Sequence, residues 1–377
     1  MRATIVDNIH DIATPDWNRV SGIDHPFLRH EFLAALETHG CVGIEQGWVP
    51  QHIAVYDGEQ LAGLAPLYLK DNSYGEFVFD WAWADAYHRA GLAYYPKLVS
   101  SIPYTPVTGS RLLVHPEKQR DKICHLLIER ACQLMDETHC SSLHWLFTSK
   151  ADTELLVEHD FMRRTSCHFH WHNDGYTSFE DFLSRLSSRK RKKIRRERRF
   201  VEEAGVRIEI VHGCDASAEQ WQAMHWFYRS TFMKKSGMPT LTLEFFEEIS
   251  RTMGDQVVLV FASHEKRYVA GSIMLRGDKA LFGRHWGCLE EFNSLHFEAC
   301  YYQGIEYCIA NGLALFEPGA QGEHKISRGF LPSYTWSAHR VGDDRFSEAI
   351  QRYLQQEHQM MVDYHDTLMT GSPFRKA

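Results

Sequence analysis

The sequence predicts a mixed α/β protein in which one folding unit is built twice in tandem. Three observations carry that prediction. The chain has 377 residues, room for about two domains of ordinary size. Two apolar–polar–apolar hairpin patterns, residues 53–69 and 258–275, share an Ala-Gly pair in the second strand, Ala62-Gly63 and Ala270-Gly271. The segments that follow each hairpin come in the same order, which two unrelated hairpins would not share.

In the first half a further strand is expected near residues 77–83. A helix over 116–137 follows, with Ile123, Leu126, Leu127, Leu134 and Met135 at helical spacing. A strand at 142–147, a short helix near 152–158 and a strand through 165–172 close that half. In the second half the order is a strand at 280–286, a helix at 294–311, a strand at 313–317 and a strand at 334–341. A last helix runs from about 346 to 368. The boundary falls near 173–178, which gives a first domain of 1–175 and a second of 176–377.

Composition narrows the class. Hydrophobic residues make up 44% and charged residues 24%, which excludes a disordered or fibrous chain. No run of about 18 uncharged apolar residues occurs, so no membrane span or stable membrane insertion is expected. The segment MRATIVDNIHDIATPDW lacks a basic start followed by an apolar run, so no signal peptide is expected. Nine cysteines, an odd number without a C-x-x-C, fit reduced thiols and a cytoplasmic location. Cys124, Cys132 and Cys140 read as small packing residues, and no metal site is expected. His168, His170 and His172 alternate along a strand, and a hydrogen-bonded face accounts for them better than a metal does.

The net charge of -8 hides an asymmetry. Between Arg185 and Arg199 stand ten Lys or Arg and one Glu, a local sum of +9, so the rest of the chain carries -17. As a helix this segment has only a thin apolar seam, Leu183, Leu186, Ile194 and Val201. Its cations attract phosphate by Coulomb force and counterion release, and Arg189, Lys192, Lys193, Arg195, Arg196 and Arg198 are the candidate contacts. The opposing interpretation is a solvated helix that balances an acidic protein.

Several motifs resemble one family. They are Pro66-Leu-Tyr-Leu-Lys70, Ser73-Tyr-Gly-Glu76, Phe79-Asp-Trp-Ala-Trp-Ala-Asp85 and Tyr94-Tyr-Pro-Lys97 in the first half. The second half adds Phe169-His-Trp171, the basic run ending at Arg198, Leu295-His-Phe-Glu298, Cys300-Tyr-Tyr-Gln303 and the stretch from Pro318 to Lys325 with Arg328-Gly-Phe330. Together they resemble the bacterial FemAB-like family labelled peptidoglycan biosynthesis/recognition, over nearly the whole chain. The resemblance implies a tandem duplicated GNAT-like acyl-CoA N-acyltransferase fold, mixed sheets flanked by helices. It also implies a kinship with Fem aminoacyltransferases, which attach amino acids from aminoacyl-tRNA to a cell-wall precursor.

Three groups of residues could carry such chemistry. Glu317, Gln321, Glu323, His324, Lys325 and Arg328 stand within twelve residues, with glycines at 319 and 322 that allow a tight path near a ligand. Amide formation needs a base for the incoming amine and donors for the oxyanion. Glu317, Glu323, His324 or Glu298 is expected as the base, and Gln321, Lys325 and Arg328 as donor contacts. The run Arg284-His-Trp-Gly-Cys-Leu289 half-matches a pyrophosphate-binding loop, which makes His285, Trp286 and Gly287 donor-side candidates. Leu289, Glu290 and Glu291 argue there against ordinary acyl-CoA binding. Lys70, Tyr74, Glu76, Asp80, Trp81, Asp85, Lys97 and Arg111, with His170, suit an aromatic-lined acceptor pocket or the polar rim of an aromatic core.

The expected activity is amide formation by direct attack in a ternary complex, between an acyl-CoA or aminoacyl-tRNA co-substrate and a small-molecule or peptide amine. The alternatives are an acyl-CoA-dependent N-acetyltransferase and a non-catalytic module that binds RNA or a cell-wall precursor. The sequence leaves the oligomeric state open.

Overall fold

The computed structural model describes residues 1–234, 237–320 and 322–375. The chain runs β1 (Arg2–Val6), α1 (Thr14–Ser21), α2 (His30–Thr38), β2 (Val49–Pro50), β3 (His52–Asp57), β4 (Gln60–Ala65), β5 (Tyr68–Lys70), α3 (Trp81–Arg89), β6 (Lys97–Ser100), β7 (Leu113–Val114), α4 (Arg120–Glu137), β8 (Ser142–Thr148), α5 (Lys150–Glu158) and β9 (Met162–His172). It continues with α6 (Phe179–Arg185), α7 (Ser188–Glu203), β10 (Arg207–His212), α8 (Ala218–Lys234), α9 (Leu243–Met253), β11 (Val257–His264), β12 (Arg267–Arg276) and β13 (Ala280–Cys288). The last elements are α10 (Leu295–Phe297), a π-helical segment Glu298–Tyr302, α11 (Gln303–Ala310), β14 (Leu315–Glu317), a 3-10 turn Glu323–Arg328, β15 (Leu331–Val341) and α12 (Asp344–Met369).

Two compact units divide the chain: residues 1–167 with 334–364, and 168–333 with 365–377. Most of β15 and of α12 therefore folds with the first unit. In that unit β1, β3, β4 and β7 form an antiparallel sheet, and β15, β8, β6, β5 and β2 follow in that order in another. The β6–β8 pair is parallel. Its core gathers Ile53, Val55, Leu98, Ile123, Leu127, Leu134, Leu143 and Trp145, the helical stripe of α4 closing over the strands. In the second unit the order is β10, β11, β12, β13, β14 and β9, antiparallel apart from β13 beside β14.

The two Ala-Gly hairpins are β3–β4 and β11–β12. Each glycine allows a helix to close on its strand. A Cβ on Gly63 would meet Ile123 of α4 at 2.2 Å, and one on Gly271 would meet Met224 of α8 at 2.7 Å.

Two expected elements differ. Residues 77–83 are not a strand: 74–80 have no regular structure and α3 begins at Trp81. The alternation that suggested a strand is real, with Ser73, Glu76, Val78 and Asp80 buried and Tyr74, Phe77, Phe79 and Trp81 exposed. Of the inward side chains, Ser73, Glu76 and Asp80 are held by a buried lysine instead of a neighbouring strand. The helix expected over 294–311 is broken by the π segment, and the basic helix starts at Ser188 after a break at Leu186.

Gly287, expected beside a donor, lies in β13 under α8, where a Cβ would stand 1.8 Å from the Phe227 carbonyl oxygen. Backbone cannot move aside as a side-chain tip can. Gly287→Ala should cost about 2–3 kcal/mol, read as a lower urea midpoint with an unchanged slope.

Candidate functional site

The second unit contains a cavity of about 310 Å³, and the strand register explains why it is there. β13 pairs with β14 only over Ala280, Phe282 and the residue between them, opposite Leu315–Glu317. Beyond that the strands part: Gly283 packs against Pro318, and the chain turns away through Gly319 and Gly322, both at positive φ. On the other side of β13 the register with β12 slips between Ile273 and Met274, so Arg284 is the extra residue of a bulge. The cavity is walled by β12, β13, the loop from Pro318 to Ala320, the turn at His324-Lys325 and the π segment.

Its polar lining is compact. The Lys325 ammonium is buried, donates to the Gly319 carbonyl at 2.6 Å, and burial pulls it down to about 8. His324 meets the Tyr301 hydroxyl through Nε2 at 2.9 Å. Burial and the nearby Arg328, Lys325 and Lys193 hold the His324 imidazole below its ordinary value, hence neutral at pH 7. Burial and Arg284 do the same to His285, which packs edge-on against Tyr228. Arg284 is drawn down to about 10 by burial, with Glu317 countering. Burial pushes the Cys300 thiol up, so it is a poor nucleophile. The site thus offers a cation, a neutral imidazole with an orienting hydroxyl, and no free carboxylate among its lining residues.

Of the other candidates in this unit, Trp286 lines the cavity, whereas Glu317 is buried at the end of β14, 3.9 Å from His170 Nε2. Burial and neighbouring cationic forms bring His170 down to about 3. Glu323 is exposed on the first position of its turn. Glu298 is buried against Arg198, which it accepts at 3.0 and 3.1 Å while Arg198 also holds Glu306. Glu298 and Tyr302 lie on one helix face, and that face meets α7. The cavity receives Cys300 and Tyr301, because the π turn advances the register by a residue. Gln321 lies outside the described residues. Among the described residues no three His, Cys, Asp or Glu side chains group as metal ligands.

The basic helix sorts its cations. Ile194, Glu197 and Val201 face inward. Arg198 is paired as above, Arg195 is bonded to Glu180, Arg199 to Glu203, and Arg328 to Glu197. Lys193 stands 3.8 Å from Glu197. Among the described residues Arg189, Lys190, Lys192 and Arg196 have no acidic partner, Arg196 lying over Phe200. The predicted seam holds, with Leu183 and Leu186 buried just before the helix.

In the first unit the expected acceptor residues separate into two sets. Lys97 is fully buried and donates to Ser73 Oγ and Glu76 Oε2, each at 2.8 Å, and to Asp80. Its strand neighbour Lys70 donates to the Gly47 and Tyr74 carbonyls and lies 3.7 Å from the Trp48 ring centroid. Burial lifts Glu76 and lowers Lys70, each to about 7, and the two lie 3.9 Å apart. Burial would lift Asp80 too, but Lys97 and His144 hold it at about 2. Tyr94 donates to Asp80, and His144 joins Ser142, Tyr94 and His339. Arg111 is spent on the Leu146, Ser110 and Val107 carbonyls. Lys97, Ser73, Glu76, Asp80, Tyr94, His144, Ser142 and His339 make one internal network. Tyr74, Trp81 and Asp85 are exposed, the first two in edge contact at 5.3 Å and Asp85 paired with Arg89.

Sequence reasoning missed Glu197, Tyr301, His296 and Ser272. Glu197 had a readable signal, the lone acid in a basic run. Lys97→Met leaves two carboxylates without their cation and should cost about 3–5 kcal/mol by urea unfolding. Lys325 should react with an amine-selective acylating reagent half-maximally near pH 8, since only the neutral amine attacks, with surface lysines titrating well above it.

No curated protein matches the chain. Among solved structures the chain is similar to FemX, at 10% identity and a TM-score of 0.56, over 93% of this chain and all of that one. It is also similar to the C-terminal domain of a protein described as a lysylphosphatidylglycerol synthetase from Agrobacterium fabrum, at 7% identity and 0.56, over 90% and 96%. L-PGS from Bacillus licheniformis aligns at 12% identity and 0.52, over 86% and 96%. These likenesses show a GNAT-like mixed α/β fold. Residues 8–376 match the family described as peptidoglycan biosynthesis/recognition, and the chain belongs to that FemAB-like family.

Proposed function

We propose that the protein is a Fem-like N-acyltransferase that forms an amide between an activated acyl or aminoacyl group and an amine. The observation that carries this is the cavity at the parting of β13 and β14, with His324, Tyr301 and Lys325 converging on it. A neutral His324 oriented by Tyr301 suits the base that takes the proton of the attacking amine. The amine nitrogen bonds to the acyl carbon, the C–O or C–S bond of the donor breaks, and the departing alcohol or thiol leaves with a proton. The Lys325 ammonium suits the oxyanion formed on the way. Of the four expected bases, Glu298 is committed to Arg198, and neither Glu317 nor Glu323 lines the cavity.

In this reading the second unit, residues 168–333 with 365–377, serves the donor, and the first, residues 1–167 with 334–364, serves the acceptor. The donor is an aminoacyl-tRNA or an acyl-CoA whose phosphates meet α7 at Arg189, Lys192, Lys193 and Arg196. The acceptor amine is carried by a peptide of a cell-wall precursor. The name of the lysylphosphatidylglycerol synthetase domain supports an aminoacyl cargo. Among the described residues no helix is long and apolar enough to cross a membrane, and we assign the reaction to the cytoplasm, where both donors are made.

Transfer of a labelled group from aminoacyl-tRNA or acyl-CoA to an amine-bearing peptide tests the proposal. Lys325→Met should lower the rate about 100-fold or more. No transfer from either donor, with tRNA still bound, would favour the RNA-binding module. Replacing Arg189, Lys190, Lys192 and Arg196 by Ala should weaken tRNA binding and flatten its log–log salt slope by about 2–3. An unaltered slope removes α7 from donor docking.

A further inference from the structure

We infer that Glu197, on the basic helix, is the positioning residue for the turn that carries His324 and Lys325. The purpose of that role rests on the acyltransferase reading; the geometry does not. Glu197 Oε1 accepts from Arg328 Nη2 at 2.7 Å, and Oε2 accepts from Arg328 Nε at 3.1 Å and from the Tyr302 hydroxyl. The pair is bidentate, so it fixes the plane of the guanidinium as well as its place. Arg328 lies over the Phe297 ring, 3.4 Å from the centroid, and its remaining nitrogen, Nη1, donates to the His324 carbonyl at 2.7 Å. That carbonyl belongs to the peptide unit joining His324 to Lys325. Because the peptide is planar, holding its oxygen orients the start of both side chains.

A buried ion pair is weak support for stability, and apolar residues of similar volume would pack α7 against the turn as well. What the pair adds is direction. Glu197, Arg328 and the His324 peptide form one continuous chain of charge-assisted bonds, and both charged members are buried. The groups facing His324 are Tyr301 and His296, Lys325 and Arg328 on its own turn, and Lys193 and Glu197 on α7. Glu197 is the acid of that set. It therefore opposes, as the smallest of these influences, the burial and the cations that hold the His324 imidazole below its ordinary value.

Diethyl pyrocarbonate acylates neutral imidazole, and peptide mass spectrometry reads its rate at His324 against pH in the full-length chain. The wild-type midpoint should lie below 6.5. In Glu197→Gln it should fall further. Glu203→Gln, on the exposed end of the same helix, should leave His324 as it is. If Glu197→Gln does not fold, Glu197→Gln combined with Arg328→Gln leaves no lone charge buried. His324 should then react severalfold faster, since its turn has lost the anchor. A folded Glu197 variant with unchanged His324 midpoint and rate overturns the inference, and so does an equal shift in Glu203→Gln. Acyl transfer is not the readout, so an inactive wild-type protein would sink the acyltransferase reading without deciding this one.

Discussion

Three residues of parallel pairing between β13 and β14, and then none, are what the second unit's cavity depends on. Two strands bonded along their whole length leave no room between them. Here Gly283 against Pro318 ends the ladder, and the chain leaves through two glycines in conformations other residues rarely adopt. The gap lies where backbone groups stop satisfying each other, so polar side chains can reach it from both walls. The bulge that sets Arg284 apart from the β12 register and the π turn that presents Tyr301 belong to the same opening. Each departs from regular structure at the cavity wall, where regularity would have closed it.

The two units use buried charge differently. In the first, Lys70 and Lys97 stand opposite each other on paired strands, a repulsive arrangement unless acids neutralise it. Glu76 and Asp80 do so from a segment without regular structure, and their bonds replace the strand pairing that the segment lacks. In the second, Glu197 and Arg328 link a solvent-facing helix to the cavity turn. One network closes a frame, and the other ends on a group that faces open space.

The repeated hairpin and element order were legible because strand alternation and helical spacing are local patterns. The helix of α4, the final helix and the strands through Trp145 and Trp171 follow from them with shifts of a few residues. The strand expected near 77–83 fails because alternation reports which residues face inward, not what meets them there. A helix face likewise follows from spacing, but the direction it looks does not. Glu298 and Tyr302 share a face, yet it meets α7, and a π turn no composition rule announces brings Tyr301 to the cavity instead.

The FemAB-like family and the concentration of cations in residues 185–199 were determined by the sequence by itself, since both depend on residue identity in order. Which of those cations stay unpaired was decided by the tertiary structure, because Glu180, Glu298 and Glu306 reach the helix from other elements. The same holds for the separation of Lys97 from Lys325. Both are candidate cations in the sequence. One is sealed among acids, and the other keeps donors to spare beside a cavity, because burial and partners are properties of the fold and not of the residue.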